Sequence, residues 1–491
     1  MKRTSIFEEA FFDEATFNTR RHFLKKCTSG LGGLAISSIL GGCLSNEQKS
    51  IDENPFAVKP PHFPAKAKNI IYLHMEGAPS QLELFDYKPE LAKLDGQLCP
   101  QSLLEGKRFA FIKGVPKMLG PQATFQQYGQ SGAWFSDYFK HLPQLADELT
   151  FLKAMHTDEF NHAPAQLFMH TGSSRVGRPS LGSWITYGLG SENQNLPAYV
   201  VLVSGSEPSA GKYLWGNGFL PSVYQGVQCR TKGDPVLYIN NPAEIDVHLR
   251  QKSIETINKI NELTYNEIGD PETLTRISQY EMAFRMQAEV PETMDILSEP
   301  AYIHEMYGTE IGKASFANNC LLARKLIEKG VRVVQLFDRR WDNHGTDAGS
   351  GVDIGLRRNV EYVDKPITAL IKDLSQRGLL DETLIVWGGE FGRTPMMENR
   401  AGDNNTPLKG RDHHVDAFTM FMAGAGLKKG YSHGETDEIG YYGIKGKTHI
   451  HDLQATIMHI MGFDHEKFTF PFQGRNFRLT DVAGKVIKEI L

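Results

Sequence analysis

Six short runs of almost wholly apolar residues punctuate the chain: NIIYLHM (69–75), TFLKAM (150–155), AYVVLV (198–203), VRVVQLF (331–337), TLIVWG (383–388) and AFTMFMAG (417–424). Each has strand length, and none shows the strict apolar/polar alternation of a strand with one wet face. Strands buried on both faces, as in a parallel sheet, read this way. Helical patterns lie between several of them. SFANNCLLARKLIEKG leads into the fourth run and VEYVDKPITALIKDLSQRG into the fifth, each ending in Gly beside a basic residue, as helix C-termini prefer. Alternating helices and buried strands predict a doubly wound, mostly parallel sheet. A charged helical pair near 245–290 is expected outside that sheet, as an insertion.

The 491 residues, 40% hydrophobic and 23% charged, suit one large α/β domain or two ordinary ones. A net charge of −5 without a long basic run gives no nucleic-acid footprint. It leaves acidic substrates open, because a local arginine pocket does not show in a total. Cys99, Cys229 and Cys320 have no CxxC spacing, so they read as buried apolar fillers rather than a disulfide or thiolate framework.

The first 43 residues read as a signal. Thr19-Arg20-Arg21-His22-Phe23-Leu24-Lys25 resembles the twin-arginine export pattern, followed by a weakly apolar, glycine-rich stretch over 28–42. That stretch is too short to span a membrane. Leu40-Gly41-Gly42-Cys43 resembles a lipobox, which implies membrane attachment through a lipidated Cys43. The expected location is the periplasm or cell envelope. Residues 44–68, polar and Pro-rich, read as a linker to a domain over 69–491.

Ligands of open parallel sheets bind beyond the carboxyl ends of the strands. Glu76 follows the first run, Asp338, Asp342 and His344 follow the fourth, and Glu390 follows the fifth. Arg411, Asp412, His413 and His414 form an expected turn before the last run. Carboxylates and imidazoles from distant stretches therefore converge on one edge, with the ligand types that zinc or manganese accepts. The alternative is a buried Asp–His network that only braces loops.

The phrases GAPSQLELFDYKPEL, HTGSSRVGRPSLGSWITYGLGSEN, WDNHG, GEFGRTP, GRDHH, HDLQATIMHIMGFDH and FQGRNFRLTDVAG occur in order. On them the chain is identified as a member of the bacterial family called domain of unknown function 1501. That family is similar in turn to the alkaline phosphatase and sulfatase superfamily. The resemblance implies a three-layer α/β sandwich with a mostly parallel central sheet. It also implies metal-dependent hydrolysis of sulfate or phosphate esters, on a small molecule or a glycan.

Carried over by motif, Glu76 stands where the superfamily has a metal-binding Asp, and His413 resembles its last metal-binding His. His162 stands where its nucleophile lies, and Phe391 where a second ligand is expected. The resemblance thus implies Glu76, Asp338, Asp342, His344, Asp412 and His413 as a metal set, with His162, Glu390 and Arg393 in catalysis. Arg393, with Arg411, is read either as an oxyanion grip or as structural; Glu390 as a ligand, a base or a partner of Arg393. His162 is read as nucleophile, ligand, acid–base group or core residue. Ser80 is read as a helix cap, with an alternative nucleophile as its other reading; His156 and His170 flank the same region with little weight for the site, and His449, His451 and His459 are read as mainly structural. A second reading of the whole chain is a catalytically silent relative that binds a glycan or a membrane-associated protein partner.

Overall fold

The computed structural model describes residues 54–491 apart from 231, 232, 234, 237–239 and 243. The twin-arginine stretch and Cys43 lie outside the described residues. All six apolar runs are strands of one nine-stranded sheet. The strands used below are β1 (Asn69–Glu76), β2 (Leu149–His156), β3 (Tyr199–Ser204), β4 (Val227–Cys229), β5 (Val333–Arg339) and β6 (Thr383–Gly388). They continue with β7 (Gly392–Met397), β8 (Arg411–His414), β9 (Phe418–Gly424), β10 (Tyr431–His433) and β11 (Thr448–His449). The order across the sheet is β10-β2-β9-β6-β1-β5-β3-β4, with β11 also paired to β2.

Every neighbouring pair is parallel except those made by β9, which runs antiparallel to both β2 and β6. The expectation of a mostly parallel sheet holds; the direction of β9 was not part of it. A strand covered on both faces is apolar whichever way it runs, so composition carries no direction.

Alternation along β1 sorts its side chains into two cores. Ile71, Leu73 and Met75 join a cluster with α5 (Phe316–Glu328) and α6 (Gly355–Gln376). Ile70 and Tyr72 join a cluster with α1 (His162–Thr171), α2 (Leu181–Leu189) and α7 (Ile450–Ile460). Helices therefore cover both faces, which makes a three-layer α/β sandwich. Residues 245–280 form a separate compact unit, built from α3 (Val247–Ile268) and the first part of α4 (Pro271–Met294). Cys99, Cys229 and Cys320 are buried free thiols. No helix among the described residues is long and apolar enough to cross a membrane.

The direction of β9 has a functional consequence. A return from β6 to an antiparallel neighbour needs no crossover helix. The connection instead stays at the carboxyl edge of the parallel strands and folds into a two-stranded ribbon of β7 and β8. The stretch GRDHH, expected as a turn, is thus a strand: His413 pairs with Arg393 and His414 with Gly392, with a register shift between Arg411 and His413.

Candidate metal centre

Three segments deliver imidazoles to that edge. His162 opens α1, shortly after β2 ends. His344 follows β5, and His413 lies on β8. Their Nε2 atoms converge on one oxygen, Asp342 Oδ1: 2.7 Å from His344, 3.3 Å from His162 and 3.5 Å from His413. The Nε2 atoms of His344 and His413 are 3.1 Å apart. These four side chains are a group with metal-binding spacing.

The opposite nitrogen of each ring is tied down. His162 Nδ1–H donates to Glu390 Oε1 at 2.6 Å, His413 Nδ1–H to the Phe160 carbonyl at 2.7 Å, and His344 Nδ1–H to Glu398. A donor bond at Nδ1 fixes the tautomer that turns the Nε2 lone pair inward, the usual arrangement behind a metal-bound histidine. The Asp342 side chain remains 43% exposed while His344 and His413 are nearly covered, so the group opens to solvent on the Asp342 side. Phe391 and Phe111 wall it: Phe391 lies 4.9 Å from the His162 ring and 4.6 Å from that of His413, and Phe111 lies 4.9 Å from His344.

Backbone geometry brings Asp342 into place. Gly77, just beyond β1, sits at φ +112°, and a Cβ there would lie 2.4 Å from the Asp342 nitrogen. Only glycine lets the 341–342 backbone cross the end of β1 so closely. Arg340, at φ +108°, carries strain in the same turn.

Electrostatics favour an anionic Asp342. Burial acts to raise its pKa, but Arg393 and the three imidazoles outweigh it and hold the carboxyl well below the ordinary range. Burial also works against a charged His162, yet its bonds to Asp342 and Glu390 raise it to about 9. His413 goes the other way, lowered to about 3 chiefly by burial. Glu390 has no exposed side-chain surface. Burial opposes its ionisation, but His162 and His74 keep it well below the usual carboxyl range.

Arg393 is fully buried. Its Nη2 donates to Asp342 Oδ1 and to the Gly77 carbonyl, both at 2.5 Å, while Nε and Nη1 donate to the carbonyls of Ala78 and Arg411 at 3.0 Å. It orients Asp342 and is not presented to an anion. Arg411 is likewise committed, to Glu83 and to carbonyl oxygens.

Three carboxylates from the expected metal set stand outside the four-residue group. Glu76 Oε1 accepts from Ser209 N at 2.7 Å, Ser209 Oγ at 2.6 Å and Gln166 at 3.1 Å, so it anchors the loop after β3. Asp338 is still within β5 and accepts the Trp341 indole N–H at 2.9 Å. Asp412, at the register shift, accepts from Phe111 N, Ile112 N and its neighbour His413 N. With His344 and Glu398 it makes a second possible ligand group that shares His344. Glu398 was missed in the sequence because only the pairing of β7 with β8 brings it beside His344. Ser80 precedes a short helix as expected, but its hydroxyl bonds Glu83 rather than capping the backbone. His170 Nδ1 accepts from the Gln335 amide N–H at 2.8 Å within the core, and His449 caps α7.

The displaced Asp338 gives a stability test. Burial pushes its carboxyl up to about 7 against the pull of the Trp341 N–H. The protonated folded form is favoured, so this contribution is full below the normal carboxyl pKa, is lost as pH rises to about 7, and stays lost above. Asp338→Asn should therefore gain stability relative to the native chain between pH 4 and 8, by a few kcal/mol at most. Urea midpoints at both pH values check this; a pH-independent difference would rule it out.

Residues 67–491 match the family described as "Protein of unknown function (DUF1501)". The chain belongs to this family. No curated protein matches it. Similar solved structures include a protein in the alkaline phosphatase superfamily from Vibrio parahaemolyticus, 12% identical, covering 84% of this chain and 72% of that one, with a TM-score of 0.33. A sulfatase from Pseudoalteromonas sp. is 12% identical, covers 82% and 69%, and has a TM-score of 0.35. A phosphonate monoester hydrolase from Silicibacter pomeroyi is 12% identical, covers 80% and 73%, and has a TM-score of 0.31.

Proposed function

We propose that this protein is an exported metal-dependent hydrolase of sulfate or phosphate esters. One observation carries the reading: three Nε2 atoms meet on Asp342 Oδ1 while each opposite Nδ1 is held by a separate acceptor. Three imidazoles and one carboxylate oxygen are a donor set suited to zinc or manganese. Held there, a divalent cation supplies Lewis acidity toward an ester oxygen. The chain's own groups do the rest. Glu390 and Glu398 keep the His162 and His344 rings oriented with Nε2 inward, Arg393 holds Asp342 anionic, and Phe111 and Phe391 limit water around the imidazoles.

His162 has Glu390 on one ring nitrogen and Asp342 on the other, so it acts within the ligand group rather than as a free nucleophile. That same engagement favours a second reading, a silent relative that retains the site to bind a glycan or a protein partner. Export rests on the twin-arginine pattern at residues 19–25, and envelope attachment on Cys43.

The deciding experiment is elemental analysis of full-length protein from an exporting host, followed by a panel of aryl sulfates and phosphates. Stoichiometric zinc or manganese with turnover that a chelator abolishes supports the hydrolase. Bound metal with no turnover on any ester favours the silent binder, and absence of metal removes the metal reading altogether.

A further inference from the structure

The central strand carries an unusual polar face. Tyr72, His74 and Glu76 occupy alternate positions of β1, and all three are buried. Opposite them α1 presents His162, Gln166 and His170, spaced four residues apart and so stacked on one helix face. The contacts pair the two rows. Gln166 Nε2 reaches Glu76 at 3.1 Å and Glu390 at 3.3 Å, and the His170 ring lies 4.7 Å from that of His74 and 5.0 Å from that of Tyr72. This row starts at the metal centre and runs into the core.

His74 is the member without a local explanation. Its side chain is fully covered, and neither of its ring nitrogens completes a hydrogen bond. Its Nε2 lies 3.4 Å from Glu390 Oε2. An apolar residue would fill the same place, between Phe337 and His170, without the expense of burying a polar ring. What the ring supplies is a polar nitrogen within ion-pair distance, 3.4 Å, of a buried carboxylate. Glu390 needs it, since an ionised carboxylate removed from water must be surrounded by donors. Oε1 takes His162 at 2.6 Å, Gly77 N at 3.1 Å and Gln166 at 3.3 Å; Oε2 has only a longer approach to Gly77 N, at 3.4 Å, apart from His74. Without His74, Oε2 keeps only that 3.4 Å approach, and the orientation of the carboxylate toward His162 rests on the contacts of Oε1 alone.

We propose that His74 is a positioning residue for the metal centre, acting through Glu390 to keep the His162 ring oriented with Nδ1 on Glu390 and Nε2 toward Asp342. The inference rests on the reading of His162 as a ligand, but it makes a claim about the metal-free protein as well.

The test uses full-length protein with 15N-labelled histidine, the His162 signals being assigned by their loss in His162→Gln. His74→Phe keeps a ring but removes the N–H; His74→Met stands in if that variant does not fold. His74→Gln restores a donor, and Tyr72→Phe, on the same face, removes a hydroxyl that has no partner. In the metal-free protein the Nδ1-bound proton of His162 should persist in the native chain, His74→Gln and Tyr72→Phe, and disappear or shift in His74→Phe. Cobalt(II) titration should then show affinity lowered about 10–100-fold in His74→Phe, largely recovered in His74→Gln and unchanged in Tyr72→Phe. An unaltered His162 signal in His74→Phe overturns the proposal, whether or not cobalt binds. A native protein that ignores cobalt while its His162 signal responds to His74→Phe removes the metal reading and leaves the positioning role standing.

Discussion

His344→Ala and His413→Ala should each abolish the metal binding proposed for this site while leaving most of the fold intact. Both imidazoles place Nε2 within 3.5 Å of Asp342 Oδ1, and each loss removes one of four converging donors. The drop in affinity should exceed the about 10–100-fold expected from losing an outer partner such as Glu398. Glu398→Gln is therefore the graded comparison, because it keeps an acceptor for His344 Nδ1 but removes the charge. Protons should accompany the metal. His162, raised to about 9, is largely protonated on both nitrogens at pH 7, and a cation must displace the proton on Nε2. Binding at pH 7 should release about one proton from this residue, and apparent affinity should rise roughly ten-fold per pH unit up to about pH 9. His413, lowered to about 3, contributes no such dependence. Calorimetry in two buffers of different ionisation enthalpy measures the proton count. Equal uptake by the native chain and His344→Ala would place the metal elsewhere.

The contrast between residues read correctly onto the edge and residues brought together there has a physical basis. Hydrophobic runs made the strands legible, because burial on both faces leaves few residue choices. The sheet's carboxyl edge followed from parallel pairing, and with it the neighbourhood of Asp342, His344 and His413. Finer placement depended on features that leave little trace in a single sequence. Asp338 and Asp342 are four residues apart, but the first is inside β5 and the second lies past a strained turn at Arg340. Asp412 and His413 are adjacent, yet the register shift in β8 sends them to different partners. Glu398 and His74 matter only through strands and helices far away in the chain. Pattern reasoning fixes which edge a residue reaches; pairing and register decide what it touches there.

Arg411 shows how a motif residue at the edge can belong wholly to the scaffold, and it should produce the largest stability loss of any single change considered. Its guanidinium and Glu83 have no exposed side-chain surface. Nε lies 3.0 and 3.1 Å from the two Glu83 oxygens and Nη2 lies 2.6 Å from Oε1. The carbonyls of Leu119, Thr394 and Gly120 take the remaining bonds at 3.0–3.1 Å. Arg411→Met leaves Glu83 charged, buried and without its cation, which should cost about 3–5 kcal/mol. The double variant Arg411→Met/Glu83→Leu removes both charges and should recover much of that loss, because an apolar pair avoids the desolvation that the ion pair must offset. Urea unfolding of the native chain, both single variants and the double variant closes the cycle. Near-additive losses would mean that the two side chains act independently and that Arg411 has another task. A strong coupling would assign Arg411 to holding the β7–β8 ribbon in place. His413 and Arg393 would then owe their positions to an ion pair that no substrate reaches.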